Sequence, residues 1–368
     1  MGSIDQVVWF QKYCGLARKS NINDTLNLEN RDNKEKKLIS SKTSDEDAYD
    51  YNPFVHKLFQ IGSELGNEAF YITFLPFVSW NIDEYICRRL ILLWVFCMYA
   101  GQGIKDILCW PRPESPPVIR LEKIYESEYG MPSTHAIAGV VIPFSLIYFS
   151  YGRFQYDLVY GILFHILWTS LVCFSRVYRG MHSFHDIVAG ISVAFFVTAL
   201  WLPYLDITLE MFLASSNAWI IILIIPMLMI YVFPTQCMET RNDTARIICV
   251  GCGCTLAAWN MYYIDQVPLP EPYKNAPVAM FSSGFIPWVL FGASRFIIGV
   301  AIIVPIKICL KTLIHSFFNF MNSEDGKTTD RKADHIFVIP YLFITYTLIG
   351  YSAIYVAPKA FEMVGLIL

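Results

Sequence analysis

The sequence has few charged residues and lacks the common motifs of soluble phosphate enzymes. Of its 368 residues, 55% are hydrophobic and only 16% are charged, against about 25% in soluble domains. This composition excludes an ordinary soluble enzyme. The chain also lacks a Gly-x-x-x-x-Gly-Lys-Ser/Thr loop, a nucleotide-binding glycine fingerprint, and a run of carboxylates typical of two-metal sites. We therefore expect no metal, no cofactor and no nucleic-acid partner.

Two further absences concern the N-terminal segment and the cysteines. Residues 1–57 contain no long apolar run and are rich in Lys, Asp, Glu and Asn, which predicts a mostly disordered tail. Because residues 1–20 lack an uninterrupted apolar stretch, we expect the first membrane span to direct targeting. The ten cysteines lie mostly in apolar runs and lack the spacing of zinc ligands, so we expect them to be small buried residues.

Long apolar segments make up most of the chain, and its mean hydropathy is +0.42. Since a helix needs roughly 20 mostly apolar residues to cross a bilayer, we predict an all-α, polytopic membrane protein with about nine transmembrane helices. The candidate spans are 68–80, 89–101, 135–151, 156–174, 187–205, 218–233, 245–263, 287–310 and 337–357. We divide the chain into the tail 1–57, a core 58–205 and additional transmembrane helices in 206–368.

The orientation in the membrane is left open by two conflicting signals. With nine spans, all polar clusters described below lie on the same face as the N terminus. That face carries most Lys and Arg residues, which indicates the cytoplasm. It also carries the glycosylation sequons at Asn23 and Asn242, which favour the lumen.

The first polar cluster contains Lys105 and Arg112. Seven residues apart, they would point to nearly the same side of a helix, although Pro111 disturbs the last turn. They could bind an oxyanion, or they could be interfacial basic residues at the end of a span. The proline-rich linker 111–131 cannot form a continuous helix, and we expect it to return the chain to the second cluster.

The second cluster is Ser133, Thr134 and His135, at the start of an apolar run. A helix beginning there would use Ser133 or Thr134 as its N-cap, and its free backbone N–H groups would face an anion. His135, in the first turn, could protonate a leaving oxygen. The alternative is a plain helix cap followed by a surface histidine.

The third cluster contains Arg176, His182 and Asp186. Arg176 can donate two hydrogen bonds to phosphate oxygens. His182 and Asp186 have the i, i+4 spacing of helix neighbours, so the carboxylate would fix the histidine tautomer and leave the other ring nitrogen free to attack. A structural His–Asp pair at a helix cap is the alternative. Arg179 and His185 lie in the same stretch. His185 would point to a different side from His182, so we expect it to be structural or to face the substrate.

The order and spacing of these clusters resemble the three signature motifs of the type 2 phosphatidic acid phosphatase (PAP2) superfamily. The motifs are Lys105-x6-Arg112-Pro113, Pro132-Ser133-x-His135 and Ser175-Arg176-x5-His182-x3-Asp186. Thr134 stands where the second motif usually has Gly. Within the superfamily, residues 53–205 resemble the sphingosine-1-phosphate phosphatases. The stretches that carry this closer resemblance are 110–117, 127–135, 151–156 and 178–183.

The resemblance implies a role for each matching residue. His182 would be the nucleophile, Asp186 would orient it, and His135 would protonate the leaving alkoxide and then activate water. The phosphate oxygens would be bound by Lys105, Arg112, Ser133, Arg176 and the backbone N–H of Thr134. The family is also independent of magnesium.

We therefore expect a membrane enzyme that hydrolyses sphingosine 1-phosphate and related long-chain base 1-phosphates through a phosphohistidine. Its partners would be this lipid substrate and the lipid bilayer. The resemblance implies a multi-pass protein of the endoplasmic reticulum membrane with a lumenal site. One alternative is a PAP2-type phosphatase for a lysophosphatidate, an isoprenoid diphosphate or a sugar phosphate. Another is a catalytically silent homologue or a lipid transporter, although the intact His135, His182 and Asp186 argue against silence.

Overall fold

The structure is a computed structural model that describes residues 2–19, 49–122, 128–234, 237–268, 284–324 and 331–366. The described chain is mostly helical, which confirms the all-α prediction. A two-stranded antiparallel sheet, β1 (Ala17–Arg18) with β2 (Tyr49–Asp50), is its one described sheet. The helices are α1 (Ser3–Tyr13), α2 (Pro53–Glu64), α3 (Glu68–Asn81), α4 (Glu84–Leu108), α5 (Thr134–Ser150), α6 (Leu158–Tyr178), α7 (Phe184–Ala214), α8 (Ala218–Val232), α9 (Met238–Trp259), α10 (Phe285–Glu324), α11 (Arg331–Tyr351) and α12 (Ala357–Met363).

Each of the nine predicted apolar segments lies mostly in helical structure. Among the described residues, six helical segments are long and apolar enough to cross a membrane: 84–108, 158–178, 184–214, 238–264, 285–310 and 338–363. Helices α5 and α8 are apolar but shorter, and α3 has 14 residues with Pro76 inside it. The coarser prediction of a polytopic helical protein is confirmed, whereas the count of nine spans stays a prediction.

The first part of the predicted disordered tail is a docked helix. Helix α1 packs against α6 and α7, and Val7 is completely buried. Gln11 Nε2 donates to the carbonyl oxygens of Ile119 at 2.6 Å and Tyr178 at 2.9 Å. The structure thus differs from the prediction at residues 3–13, while the predicted disorder at 20–48, including Asn23, lies outside the described residues.

The helices form an inner and an outer group. In α4, α9 and the 338–363 segment, 56% to 61% of the most apolar stretch is buried, against 17% to 22% in α6, α7 and α10. The inner helices approach closely through glycine: a Cβ on Gly253 would lie 2.0 Å from Thr347 O. Such small residues allow tight contact between helices in a membrane. The outer helices expose many of their apolar side chains, as is typical of helices that face lipid.

Polar contacts collect at the two ends of this bundle. At one end, Arg153 pairs with Asp83, Arg89 with Asp206, and Lys359 with Asp265. The three predicted clusters lie at the other end, where α4 and α6 finish and α5 and α7 begin. Helix α4 has 25 residues and is therefore about 37 Å long, so the ends are a bilayer apart. None of the ten cysteines forms a disulfide bond, and seven of them are buried.

Candidate active site

Lys105 lies in the last turn of α4 and is completely buried. Its Nζ donates to Glu128 Oε2 at 3.2 Å and lies 3.5 Å from Thr134 Oγ1. Thr134, which replaces the usual glycine, is therefore in contact with a predicted phosphate ligand. The linker contacts Lys105, as expected. The ammonium group of Lys105 is, however, already paired with the carboxylate of Glu128.

Arg112 is not on the helix with Lys105. Helix α4 ends at Leu108, and Cys109 follows it in a left-handed conformation with φ of 50°. The predicted two-turn helical alignment of Lys105 with Arg112 is therefore wrong, because Pro111 and Pro113 prevent the helix from continuing. The two cations still converge, since both bind Glu128, at 3.2 Å from Lys105 Nζ and 3.5 Å from an Arg112 NH2 group.

Arg112 also joins the first cluster to the third. Its Nε donates to Glu128 O at 3.0 Å, and one of its terminal NH2 groups donates to Met181 O at 2.9 Å. The same NH2 group lies 3.2 Å from His182 Nε2. Because a guanidinium only donates hydrogen bonds, Nε2 is the unprotonated nitrogen at this contact, and its lone pair faces Arg112, a predicted phosphate ligand.

The second cluster begins α5 as predicted. Ser133 is the N-cap, and its Oγ accepts from Ala136 N at 3.4 Å. Ser133 N donates to Asp186 O at 3.0 Å, which ties this cluster to the third. His135 Nε2 lies 3.2 Å from Asn67 Oδ1 and, since a carbonyl oxygen only accepts, carries its proton there. The chain at Gly66 packs on this ring, where a Cβ would lie 2.4 Å from His135 Cδ2.

His182 and Asp186 are neighbours, although His182 lies outside the helix. Ser183 is the N-cap of α7, and it forms a capping box with Asp186, whose Oδ2 accepts from Ser183 N at 2.7 Å. His182 Nδ1 lies 3.8 Å from the same Oδ2, a distance that substrate binding can shorten. His185, on the other side of this turn, is exposed.

The charge of His182 follows from its surroundings. The ring is buried, and burial, followed by the positive charges of Arg112 and Arg176, holds the pKa of His182 well below the usual value for histidine. A buried imidazole beside fixed cations is neutral at physiological pH. Its Nε2 is therefore available for nucleophilic attack without a deprotonation step.

Arg176 is held by a carboxylate outside the predicted motifs. One of its terminal NH2 groups donates to Ser63 Oγ at 2.7 Å and to Glu122 Oε1 at 3.1 Å. Arg179 Nε also pairs with Glu122, at 2.5 Å. Burial alone would raise the pKa of Glu122, but Arg176 and Arg179 hold it below its ordinary value. Glu122 is thus ionised and balances two cations.

Sequence reasoning missed Glu122, Glu128 and Asn67. Both carboxylates are in the linker after the first motif, which was expected to return to the site. This linker carries carboxylates and was expected to return to a site with three cations. That combination could have predicted both glutamates as partners of the cations. Asn67 precedes α3 and gave no such signal. Among the described residues, no group of three or more His, Cys, Asp or Glu side chains could hold a metal ion.

A cavity of about 490 Å³ opens directly beside the polar site, within the size range of roughly 300–1,000 Å³ of small-molecule pockets. Glu128, Thr134 and His135 line it at the site. Its apolar walls come from α3, α4, α9, α10 and α11, and include Leu75, Ile91, Met98, Val250, Ile303 and Ile349. The helices after residue 205 therefore form part of the cavity, which can hold an alkyl chain.

Comparisons with known proteins point to one family. The PAP2 superfamily model matches residues 87–208. Human sphingosine-1-phosphate phosphatase 2 is 36% identical over 322 residues, which cover 86% of this chain and 79% of that protein. Mouse sphingosine-1-phosphate phosphatase 1 is 36% identical, covering 85% of this chain and 73% of that protein.

A more distant relative comes from fission yeast. A dihydrosphingosine 1-phosphate phosphatase of Schizosaccharomyces pombe is 26% identical over 258 residues, covering 67% of this chain and 61% of that protein. No solved structure matches the chain.

Proposed function

The chain belongs to the PAP2 superfamily and, within it, to the sphingosine-1-phosphate phosphatases, and on that premise we propose that it hydrolyses sphingoid base 1-phosphates in a membrane. One observation carries the proposal: Lys105 and Arg112 hold the same carboxylate of Glu128, and Arg112 also lies 3.2 Å from His182 Nε2. Cations that bind a carboxylate oxygen also bind a phosphate oxygen. The nucleophile, His182 Nε2, therefore lies next to a position where a phosphate oxygen can bind.

The reaction proceeds in two steps through the histidines. His182 Nε2 attacks phosphorus, the bond from phosphorus to the C1 oxygen breaks, and His135, protonated on both ring nitrogens in the substrate complex, donates one of these protons to the leaving alkoxide and becomes neutral. Water then attacks the phosphohistidine and gives a proton to His135, and inorganic phosphate leaves as the bond to Nε2 breaks. Asp186 orients the ring of His182 and stabilises the charge it gains.

The cations and the start of α5 stabilise the transferring phosphoryl group. Phosphoryl transfer depends mainly on positioning and on stabilising charge. Lys105, Arg112 and Arg176 supply positive charge, and Ser133 with the backbone N–H of Thr134 supplies donors at a helix N-terminus. Glu128 gives way to the phosphate as the substrate enters.

The lipid chain lies in the apolar cavity. Its walls combine the core 58–205 with helices of 206–368, so we assign the C-terminal helices to substrate binding. The proposal includes nine membrane crossings, with α3, α5 and α8 as the three short ones, and a location in the endoplasmic reticulum membrane. Neither cofactor nor metal takes part.

Phosphate release by the purified protein in detergent, with excess chelator, tests this function. The substrates are sphingosine 1-phosphate, lysophosphatidate, an isoprenoid diphosphate and glucose 6-phosphate. We expect release from the sphingoid substrate, none with His182→Ala, and near-normal release with the matched control His185→Ala. Release from several lipids would retain the mechanism and widen the substrate class. No release by the folded protein would favour a silent homologue or a transporter.

A further inference from the structure

Gln102 is a polar side chain that takes no part in the reaction described above. It lies on α4 and is 4% exposed, and it lines the cavity beside the phosphate site. Its Oε1 is buried and has no hydrogen-bond partner among the described residues. Leaving a buried acceptor unpaired costs free energy, so this oxygen is available to a donor that enters the cavity.

The position of Gln102 limits which part of a ligand can reach it. Gln102 is three residues before Lys105 on the same helix, so it lies about 4.5 Å lower along the axis on a neighbouring face. A group bound there is next to the phosphate held by Lys105. Trp94 Nε1 is another buried cavity atom without a described partner, but it lies about 12 Å below Gln102 along the helix.

The first turns of α9 bring two carboxylates to the same end of the cavity. Cys237 N donates to Asp106 Oδ2 at 3.3 Å, which places this part of α9 beside residue 105. Glu239 and Asp243 both line the cavity. Asp243 pairs with Arg246, whereas the described contact of Glu239 is with the thiol of Cys237. A cation that enters here meets a carbonyl oxygen and a carboxylate.

We propose that Gln102 accepts a hydrogen bond from the ammonium group of a sphingoid base, with Glu239 supplying a favourable charge. This rests on the proposed function and names the residue that selects the substrate. The ammonium group is on C2, next to C1, which carries the phosphate. The phosphate would bind at Lys105 and the ammonium group at Gln102, about one helical turn away on α4. A site built to bind a polar group rejects an analogue that lacks it.

The test compares two phosphates that differ only at C2: sphingosine 1-phosphate and its 2-deamino analogue, which keeps the C3 hydroxyl and has no ammonium group. Both are supplied to the purified full chain in mixed micelles, and kcat/KM is measured for each. Gln102→Leu should lower kcat/KM for sphingosine 1-phosphate by about 10- to 100-fold. It should leave kcat/KM for the 2-deamino analogue within about twofold, which also shows that the variant is folded.

Two other variants sharpen the result. Gln102→Glu retains an acceptor and should retain the preference for the ammonium-bearing substrate. Ser145→Ala removes another fully buried polar atom that has no partner in the described part of the chain and does not line the cavity, and it should change neither rate. A parallel loss on both substrates in Gln102→Leu, or no preference in the unmodified protein, would overturn the inference. Hydrolysis of neither substrate by the unmodified protein would instead refute the proposed function.

Discussion

Adding one methyl group at Gly190 should separate the two halves of the site. Gly190 is one turn after Asp186 on α7, and α7 packs there against the start of α5. A Cβ at this position would lie 2.5 Å from Ser133 O and 3.1 Å from Ala136 Cβ. A backbone oxygen cannot move aside as a side chain can, so Gly190→Ala must push the two helices apart.

The size of the shift follows from the contact distances. Ordinary contact begins at 3.4 Å, so relieving a 2.5 Å approach to Ser133 O requires a movement of about 0.9 Å. That movement stretches the 3.0 Å hydrogen bond from Ser133 N to Asp186 O. It moves His182, the proposed nucleophile, away from the proposed phosphate donors, and a misplacement of about 1 Å can cost roughly 10²-fold in rate. This is about 2.7 kcal/mol of transition-state stabilisation.

The assay is kcat for sphingosine 1-phosphate, with size-exclusion behaviour and apparent Tm in detergent as checks of folding. Gly161→Ala is the matched control, because its Cβ would meet only side-chain atoms, at 3.2 Å or more, away from the site. We expect a fall in kcat for Gly190→Ala and little change for Gly161→Ala. An unchanged kcat in a folded Gly190→Ala protein would refute the argument that this contact sets the site geometry.

Three further predictions concern charge. Asp186→Asn retains an oxygen to cap α7 but loses the charge that orients His182, so kcat should fall by about 10²- to 10⁴-fold; unchanged kinetics would make Asp186 structural. The low pKa of His182 means that the unfolded chain binds a proton near pH 6.5 that the folded chain does not. Stability should therefore decrease as the pH falls below about 6.5; the slope of Tm against pH should become smaller in His182→Asn and stay unchanged in His185→Asn. Glu122→Gln leaves the buried charge of Arg176 uncompensated and should cost about 3–5 kcal/mol of stability; an unchanged Tm would contradict the structural importance of this ion pair.

Several features were determined by the sequence alone. Apolar length predicted helices at nine segments, although not α1 or α2, because a bilayer accepts backbone only when its hydrogen bonds are made within the segment. The cap at Ser133 and the proximity of His182 to Asp186 followed from local spacing. Proline in the linker predicted that the chain would leave α4 and return. These signals act over a few residues, so they do not depend on the rest of the fold.

Only the tertiary structure decided which charges meet. Lys105 and Arg112 converge through Glu128 and not through a shared helix face, because the helix stops before Arg112. Glu122 reaches Arg176 across 54 residues of chain. The cavity needs helices from both halves of the protein. Such contacts are set by how whole helices pack, and no local pattern encodes the partner of a buried charge or the walls of a cavity.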